Sequence, residues 1–288
     1  MGEKPKILVH LHLYYQEQTD YFIDKLKNIN GADWDLFVTY SQPDESSEQK
    51  LLRFKPDTNF IETENIGYDV WPFIKLIQTT DLGKYDYVIK LHTKRKMGKC
   101  RPNIIKFNGY DWRNALVDGI LYNKEHFKKV LNMFQNDSRI GMVSSLLTNV
   151  TRDYFHPYVD KELSRLGWKY KNKHTCMGTM FMMRSKALTL LKNNLITEDL
   201  FRDDKPVSGT FFRNAHLYER MFSHLAINSG LKYKTVCPRT KDLVRIRFSK
   251  AFEPMVKFLF TCEREGTERR KVIRVLGIKL FEGEPSLN

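Results

Sequence analysis

Short apolar runs alternate along this chain with stretches whose apolar residues recur every three to four positions. Runs at 7–15, 34–40, 59–63, 85–92, 140–145, 177–183 and 232–237 predict strands. Patterns at 16–28, 46–54, 68–78, 186–193 and 214–228 predict helices, and 110–134 holds one or two more. Pro72 falls within the 68–78 pattern, so it must sit in the first helical turn. Strands alternating with helices predict an α/β fold with a mainly parallel sheet flanked by helices. No internal repeat interrupts the pattern. The alternation ends near residue 239. Residues 240–288 read as a separate basic extension, helical or extended, with 11 basic against 7 acidic residues. Within it, 268–281 mixes Arg269, Arg270, Lys271 and Arg274 with Val272, Ile273, Val275, Leu276, Ile278 and Leu280. That segment either docks on the domain or lies on an anionic membrane surface.

Composition narrows the picture. At 288 residues, 41% apolar and 13% aromatic, the chain can bury a sizeable core and is not a disordered protein. The net charge of +14 favours anionic partners: nucleic acid, anionic lipid or phosphorylated small molecules. The excess is concentrated. Residues 84–113 carry nine basic and two acidic side chains, and 161–186 carry seven and one. Four widely spaced cysteines contain no CxxC pair and read as free thiols of a reducing compartment. No apolar run reaches the roughly 20 residues of a membrane span, and the start does not read as a signal peptide, so a cytoplasmic location is expected.

Two constellations carry candidate chemistry. On a strand at 85–92, Lys90 and His92 project to one face, with Lys94 following if the strand continues. Ligands of open α/β sheets bind beyond the carboxyl ends of strands, where such cations can neutralise a diphosphate. A solvated basic strand end is the plainer alternative. His10 and His12 share one face of the first strand and flank a pocket or satisfy local hydrogen bonds. No GxxxxGK[ST], GxGxxG or GxSxG segment occurs, which disfavours P-loop enzymes, Rossmann dehydrogenases and α/β-hydrolases. In the predicted helix at 214–228, His216, Glu219 and Arg220 share a face. A carboxylate between His and Arg can act as a general base, or simply form a surface ion pair.

Several ordered segments resemble one family. These are Asn65-Ile66-Gly67-Tyr68-Asp69-Val70-Trp71-Pro72-Phe73, the stretch from Tyr85 to Lys94, Trp112-Arg113, Gly178-Thr179-Met180-Phe181-Met182-Met183-Arg184, Ser208-Gly209-Thr210, and His216-Leu217-Tyr218-Glu219-Arg220-Met221-Phe222. Together they resemble the rhamnan synthesis protein F family, bacterial glycosyltransferases that build cell-surface polysaccharides. The resemblance implies a GT-A-like, Rossmann-type fold and an enzyme that moves a sugar of the rhamnose, galactose or galactofuranose class from a nucleoside diphosphate to a growing glycan. It implies Glu219 as general base, with His216 and His92 as further catalytic residues. His12, Asn65, Gly67, Asp69, Lys90, His92 and Lys94 would bind the donor. Trp112, Arg113, Thr179 and Arg220 would serve the acceptor or support the site. Asp69 would accept hydrogen bonds from sugar or ribose hydroxyls, or cap the helix containing Pro72. Trp71, Trp112 and Trp168 would stack on sugar or base, or pack in the core. GT-A enzymes end the fourth strand with a metal-holding Asp-x-Asp. Here that place reads Lys90-Leu91-His92-Thr93-Lys94, so the diphosphate is expected on Lys and His cations, and a Mn²⁺ or Mg²⁺ ion lacks its usual ligands. Tyr218 departs from the family pattern and points to a specialised acceptor side. Expected partners are the nucleotide-sugar donor, a lipid-linked acceptor and the inner face of the cell membrane, without nucleic acid. A nucleic-acid-binding protein and a non-catalytic, membrane-associated scaffold with a degenerate transferase fold are the competing classes.

Overall fold

The apolar run after Pro5 becomes β1 (Lys6–His12), whose last six residues are all buried. In chain order there follow α1 (Thr19–Leu26), β2 (Asp33–Tyr40), α2 (Glu45–Phe54), β3 (Asn59–Glu62), α3 (Val70–Thr79), β4 (Tyr87–His92), α4 (Asp111–Leu121), α5 (Lys124–Asn136) and β5 (Ile140–Ser145). Next come α6 (His156–Arg165), β6 (Phe181–Arg184), α7 (Asn214–Asn228), β7 (Lys232–Val236), α8 (Thr240–Leu259), β8 (Phe260–Glu265), β9 (Arg270–Val275) and β10 (Ile278–Glu282). This computed structural model describes residues 4–100, 107–150, 156–169, 175–202, 213–265 and 270–283. The segment Ser208-Gly209-Thr210 lies outside the described residues.

Seven strands form one sheet in the order β3-β2-β1-β4-β6-β5-β7. All neighbours are parallel except β6, which runs antiparallel to β4 and β5. The α/β architecture with a mainly parallel sheet is therefore the one the sequence predicts. Side-chain alternation divides the core. Ile7, Val9 and Leu11 of β1 face α1, α4 and α5 in one apolar layer. Leu8 of β1 and Val88 of β4 face α3, α6 and α7 in the other. On that second face the row continues toward the strand ends not with apolar residues but with His10, His12, Lys90 and His92, all buried.

Several boundaries differ from the sequence pattern, each for a local reason. β1 stops at His12 because the backbone N–H groups of Tyr14 and Tyr15 turn to donate to Thr93 Oγ1, both at 3.0 Å. The 110–134 pattern breaks at Asn123, whose side chain accepts from His126 N–H at 2.8 Å and caps α5. α3 begins at Val70 and β6 at Phe181, because Gly67–Tyr68 and Gly178–Thr179, one residue short of each start, adopt left-handed conformations.

After β7, Arg239 pairs with Asp242 at 2.9 Å and reaches Asp118 of α4 at 3.5 Å, and Ile246 is buried in the first apolar layer. These contacts fix the start of α8 on the domain. Of the two alternatives, helical or extended, residues 270–281 take the extended one, as part of a three-stranded antiparallel sheet, β8-β9-β10. β9 and β10 meet at Leu276 and Gly277, both with positive φ, as a two-residue hairpin turn requires. Among the described residues, no helix is long and apolar enough to cross a membrane.

Candidate functional site

The chain leaves β1 toward β2 and β3 on one side, and returns to place β4 on the other. The carboxyl ends of β1 and β4 therefore flank the point where strand order reverses, which is where open α/β sheets bind ligands. The parallel register sets His10 beside Lys90 and His12 beside His92. Thr39, at the same level on β2, touches both β1 histidines: its hydroxyl lies 2.8 Å from His10 Nε2 and 2.9 Å from His12 Nδ1. A hydroxyl carries one proton, so it can donate to at most one of the two rings and must accept from at least one of them, which couples the two tautomers. Burial lowers the pKa of His10 and His92 well below the usual histidine value and that of His12 to about 4. These imidazoles are neutral near pH 7. The expectation that His92 serves as a cation is corrected accordingly: it is a neutral donor or acceptor.

Asp69 is the node of the site. Its Oδ2 accepts from Lys90 Nζ at 2.5 Å and from Thr179 Oγ1 at 2.8 Å, and His92 Nδ1 lies 3.2 Å away. Lys90 Nζ also donates to Thr179 Oγ1 at 3.0 Å. The ammonium is wholly buried, 5.5 Å from the Phe73 ring and 5.7 Å from that of Phe222. Burial pushes the Lys90 pKa down, and Asp69 opposes that shift. For Asp69, burial pushes upward, but His92, Lys90 and Lys94 outweigh it and hold the carboxyl well below its ordinary range. Because His92 is itself neutral, the durable charge partner is Lys90. Its charge is thus already spent on Asp69, and Lys90 is not the free cation that the strand pattern predicts. Asp69 occupies the N-cap position of α3 but makes no capping bond, since its side chain is committed across the sheet end.

Two turns bring the other elements to this node. Gly67 and Tyr68 have φ +64° and +55°, and Gly178 and Thr179 have φ +81° and +47°. Left-handed backbone is costly for a tyrosine and for a β-branched threonine, and such strain is concentrated at functional sites. A Cβ on Gly178 would lie 2.7 Å from Leu116 Cδ1, so the turn admits only glycine there. The Gly178 N–H donates to Glu219 Oε1 at 2.5 Å. Adjacent residues of one turn thus hold Glu219 on α7 and the Asp69–Lys90 pair on the other side, which brings the two predicted constellations together. Glu219 Oε2 lies 3.9 Å from Arg220 Nη1, and Arg220 donates to the His216 carbonyl at 2.7 Å. The His216 ring, its pKa lowered by burial against the opposing pull of Glu219, accepts from the Arg213 N–H at 3.3 Å and lies 5.5 Å from the Tyr68 ring.

The remaining predicted residues fall outside this core. Lys94 is half-buried just beyond β4. Its backbone is gripped in both directions by Gln18, through Nε2 to Lys94 O at 2.7 Å and Lys94 N to Oε1 at 3.3 Å. Arg113 donates to the same Gln18 at 3.2 Å, its guanidinium 3.5 Å from the Tyr21 ring and 4.3 Å from that of Tyr110. It supports the loop from beneath. Trp71, Trp112 and Trp168 are all buried in the apolar layers, so none offers a ring for stacking. Tyr218 is also buried and donates to Glu162 Oε1 of α6 at 2.6 Å, which removes it from any acceptor surface. Asn65 is exposed before the turn, and Gly67 is forced by a Trp71 Cβ that would lie 2.7 Å from any Cβ added there. The sequence pattern missed Thr39, Gln18 and the exposed Tyr68.

Among the described residues, no three His, Cys, Asp or Glu side chains converge as metal ligands. The residues standing where GT-A enzymes carry Asp-x-Asp do not fit a divalent cation either. Lys90 already binds the Asp69 carboxylate, Gly178 N–H holds that of Glu219, and a cation beside Asp69 would face the Lys90 ammonium.

A family model described as "Rhamnan synthesis protein F" matches residues 1–231. "Uncharacterized protein WxcX" of Xanthomonas campestris pv. campestris (strain B100) is 22% identical over 246 residues, covering 81% of this chain and 33% of that protein. The chain therefore spans about a third of the length of this curated relative. Among solved structures, S. aureus TarS (1–349) aligns with TM-score 0.44 at 9% identity, over 81% of this chain and 58% of that one. Mannosyltransferase PcManGT of Pyrobaculum calidifontis, in complex with GDP-Man and Mn²⁺, aligns with TM-score 0.37 at 13% identity, over 89% and 65%.

Proposed function

The chain belongs to the rhamnan synthesis protein F family, and on that footing we propose that it is a glycosyltransferase acting on a nucleoside-diphosphate sugar. The sugar is of the rhamnose, galactose or galactofuranose class, and the acceptor is a hydroxyl of a growing cell-surface glycan carried on a lipid. The observation that carries this reading is the convergence of Asp69, Glu219 and the Gly178–Thr179 turn at the switch point between β1 and β4.

The chemistry assigns a part to each group. The acceptor oxygen forms a bond to the anomeric carbon as the bond from that carbon to the diphosphate breaks. The electron pair leaves with the diphosphate, and the acceptor proton passes to Glu219. The Gly178 N–H holds one Glu219 oxygen, which leaves Oε2 to take the proton. Asp69, kept ionised and immobile by Lys90 and Thr179, accepts hydrogen bonds from sugar or ribose hydroxyls. Lys94, fixed through its backbone by Gln18, supplies positive charge to the departing diphosphate. The neutral rings of His12 and His92 add oriented polar groups without adding charge.

Thermal unfolding against a panel of UDP-, GDP- and dTDP-sugars tests the proposal. A donor at a hundred times its Kd stabilises by about 2.7 kcal/mol. For a chain of this size that raises the midpoint by roughly 5–10 °C. No shift with any nucleotide sugar, together with strongly salt-dependent RNA or DNA binding, would favour the nucleic-acid class instead.

A further inference from the structure

Among the described residues, the domain at 4–239 exposes four large apolar side chains, Tyr14, Leu52, Tyr68 and Leu195, whereas 244–281 exposes eleven. The distribution is ordered. Val244, Phe248, Phe252, Met255 and Leu259 recur at helical spacing along α8, from 45% exposed at Val244 to 62% at Phe248. Their spacing of three and four residues places them on one stripe, and Ile246 on the opposite side is the residue that docks in the core. The hairpin extends the surface. Leu276 N–H donates to the Leu259 carbonyl at 3.1 Å, setting the exposed Leu276 and Ile278 beside the end of the stripe. An apolar surface this continuous marks an interaction site rather than a solvent face.

We propose that this stripe and the β9–β10 turn form a docking surface for an anionic lipid bilayer, with α8 lying in the interface plane. Charge selects the occupant. Residues 240–288 carry 11 basic against 7 acidic residues on a chain of net charge +14. Lys241 and Arg247 are exposed on α8, as is Lys271 on the hairpin, where the exposed Lys279 is paired with Glu282. Two copies of such a basic surface repel each other, whereas anionic headgroups complement it while the phenylalanines enter the acyl boundary. The Arg239–Asp118 pair and the burial of Ile246 anchor α8, so docking would hold the whole domain at the membrane. The inference does not depend on the transfer chemistry, and its test uses no sugar donor.

The test is co-sedimentation of the full chain with vesicles of phosphatidylcholine alone or mixed with phosphatidylglycerol. Binding is expected at least about tenfold tighter to the anionic vesicles, and weaker as salt rises. Phe248→Asp combined with Phe252→Asp should cut it at least about tenfold at an unchanged thermal midpoint. A chain that stays in the supernatant with both vesicle types overturns the proposal. So does vesicle binding indifferent to the double substitution. So does a stable dimer that the double substitution dissociates, which would make a second copy the occupant.

Discussion

Substituting Asp69 with Asn isolates the pairing at the centre of the site. Lys90 has no exposure to water, and its ammonium partners are Asp69 Oδ2 and Thr179 Oγ1. Removing one member of a buried ion pair costs about 3–5 kcal/mol, because the other charge stays buried. The Asp69 side chain is 16% exposed and Asn keeps one acceptor, so a loss near 3 kcal/mol is expected. Lys90→Met in the same background should restore most of it, since the thioether would enter a space among Phe73, Phe181 and Phe222. Urea unfolding of wild type, both single variants and the double variant measures the coupling, expected to exceed about 2 kcal/mol. The pH dependence gives an independent reading. Without Asp69, only the weaker pull of Glu219 opposes the burial that lowers the Lys90 pKa, so the unfolded chain binds the extra proton between that lowered value and the ordinary lysine range. Stability of Asp69→Asn should therefore rise with pH above neutrality, by at most about 1.4 kcal/mol per unit. A coupling below about 0.5 kcal/mol, or a flat pH response, would refute the pairing argument.

Other consequences can be checked separately. Tyr68→Gly relieves a left-handed tyrosine and should raise stability by about 1 kcal/mol while weakening nucleotide-sugar binding. A loss of stability measured by urea unfolding would make Tyr68 a packing residue instead. On acidification, the unfolded chain protonates His12 near its ordinary pKa of 6.5, while the folded chain resists until about pH 4. Stability should fall across that window, with His12 alone contributing roughly 3 kcal/mol once the pH is below it. His12→Gln should remove the His12 share of that slope and leave the shares of the buried His10 and His92. Lys94→Ala should weaken binding of the nucleoside diphosphate about tenfold in calorimetry and leave the bare nucleoside unaffected.

The strand and helix alternation made the sheet legible, because period-2 burial and short apolar runs report strand position directly. The same parity placed Lys90 and His92 on one face, and helical spacing placed His216 and Glu219 on one side of α7. Their electrostatic state was not legible. The carboxylate that neutralises Lys90 comes from a loop 21 positions earlier, and the depth that keeps His92 neutral is set by α3, β6 and α7 closing over it. The left-handed Tyr68 and Thr179 carry no residue signal, since neither type favours positive φ. Thr39 is one β-former among several in its strand, and only the β1–β2 register reveals it between two histidines. At 268–281 the alternation of basic and apolar residues fits a strand as well as an amphipathic surface, and the turn at Leu276-Gly277 decides for a hairpin.

If Glu219 takes the acceptor proton, removing its charge must slow transfer without loosening the donor. Glu219→Gln, measured for both donor affinity and single-turnover rate, separates the two effects. Donor affinity should stay within about twofold while the transfer rate falls at least about a hundredfold. A transfer rate equal to wild type at the same donor affinity would contradict it.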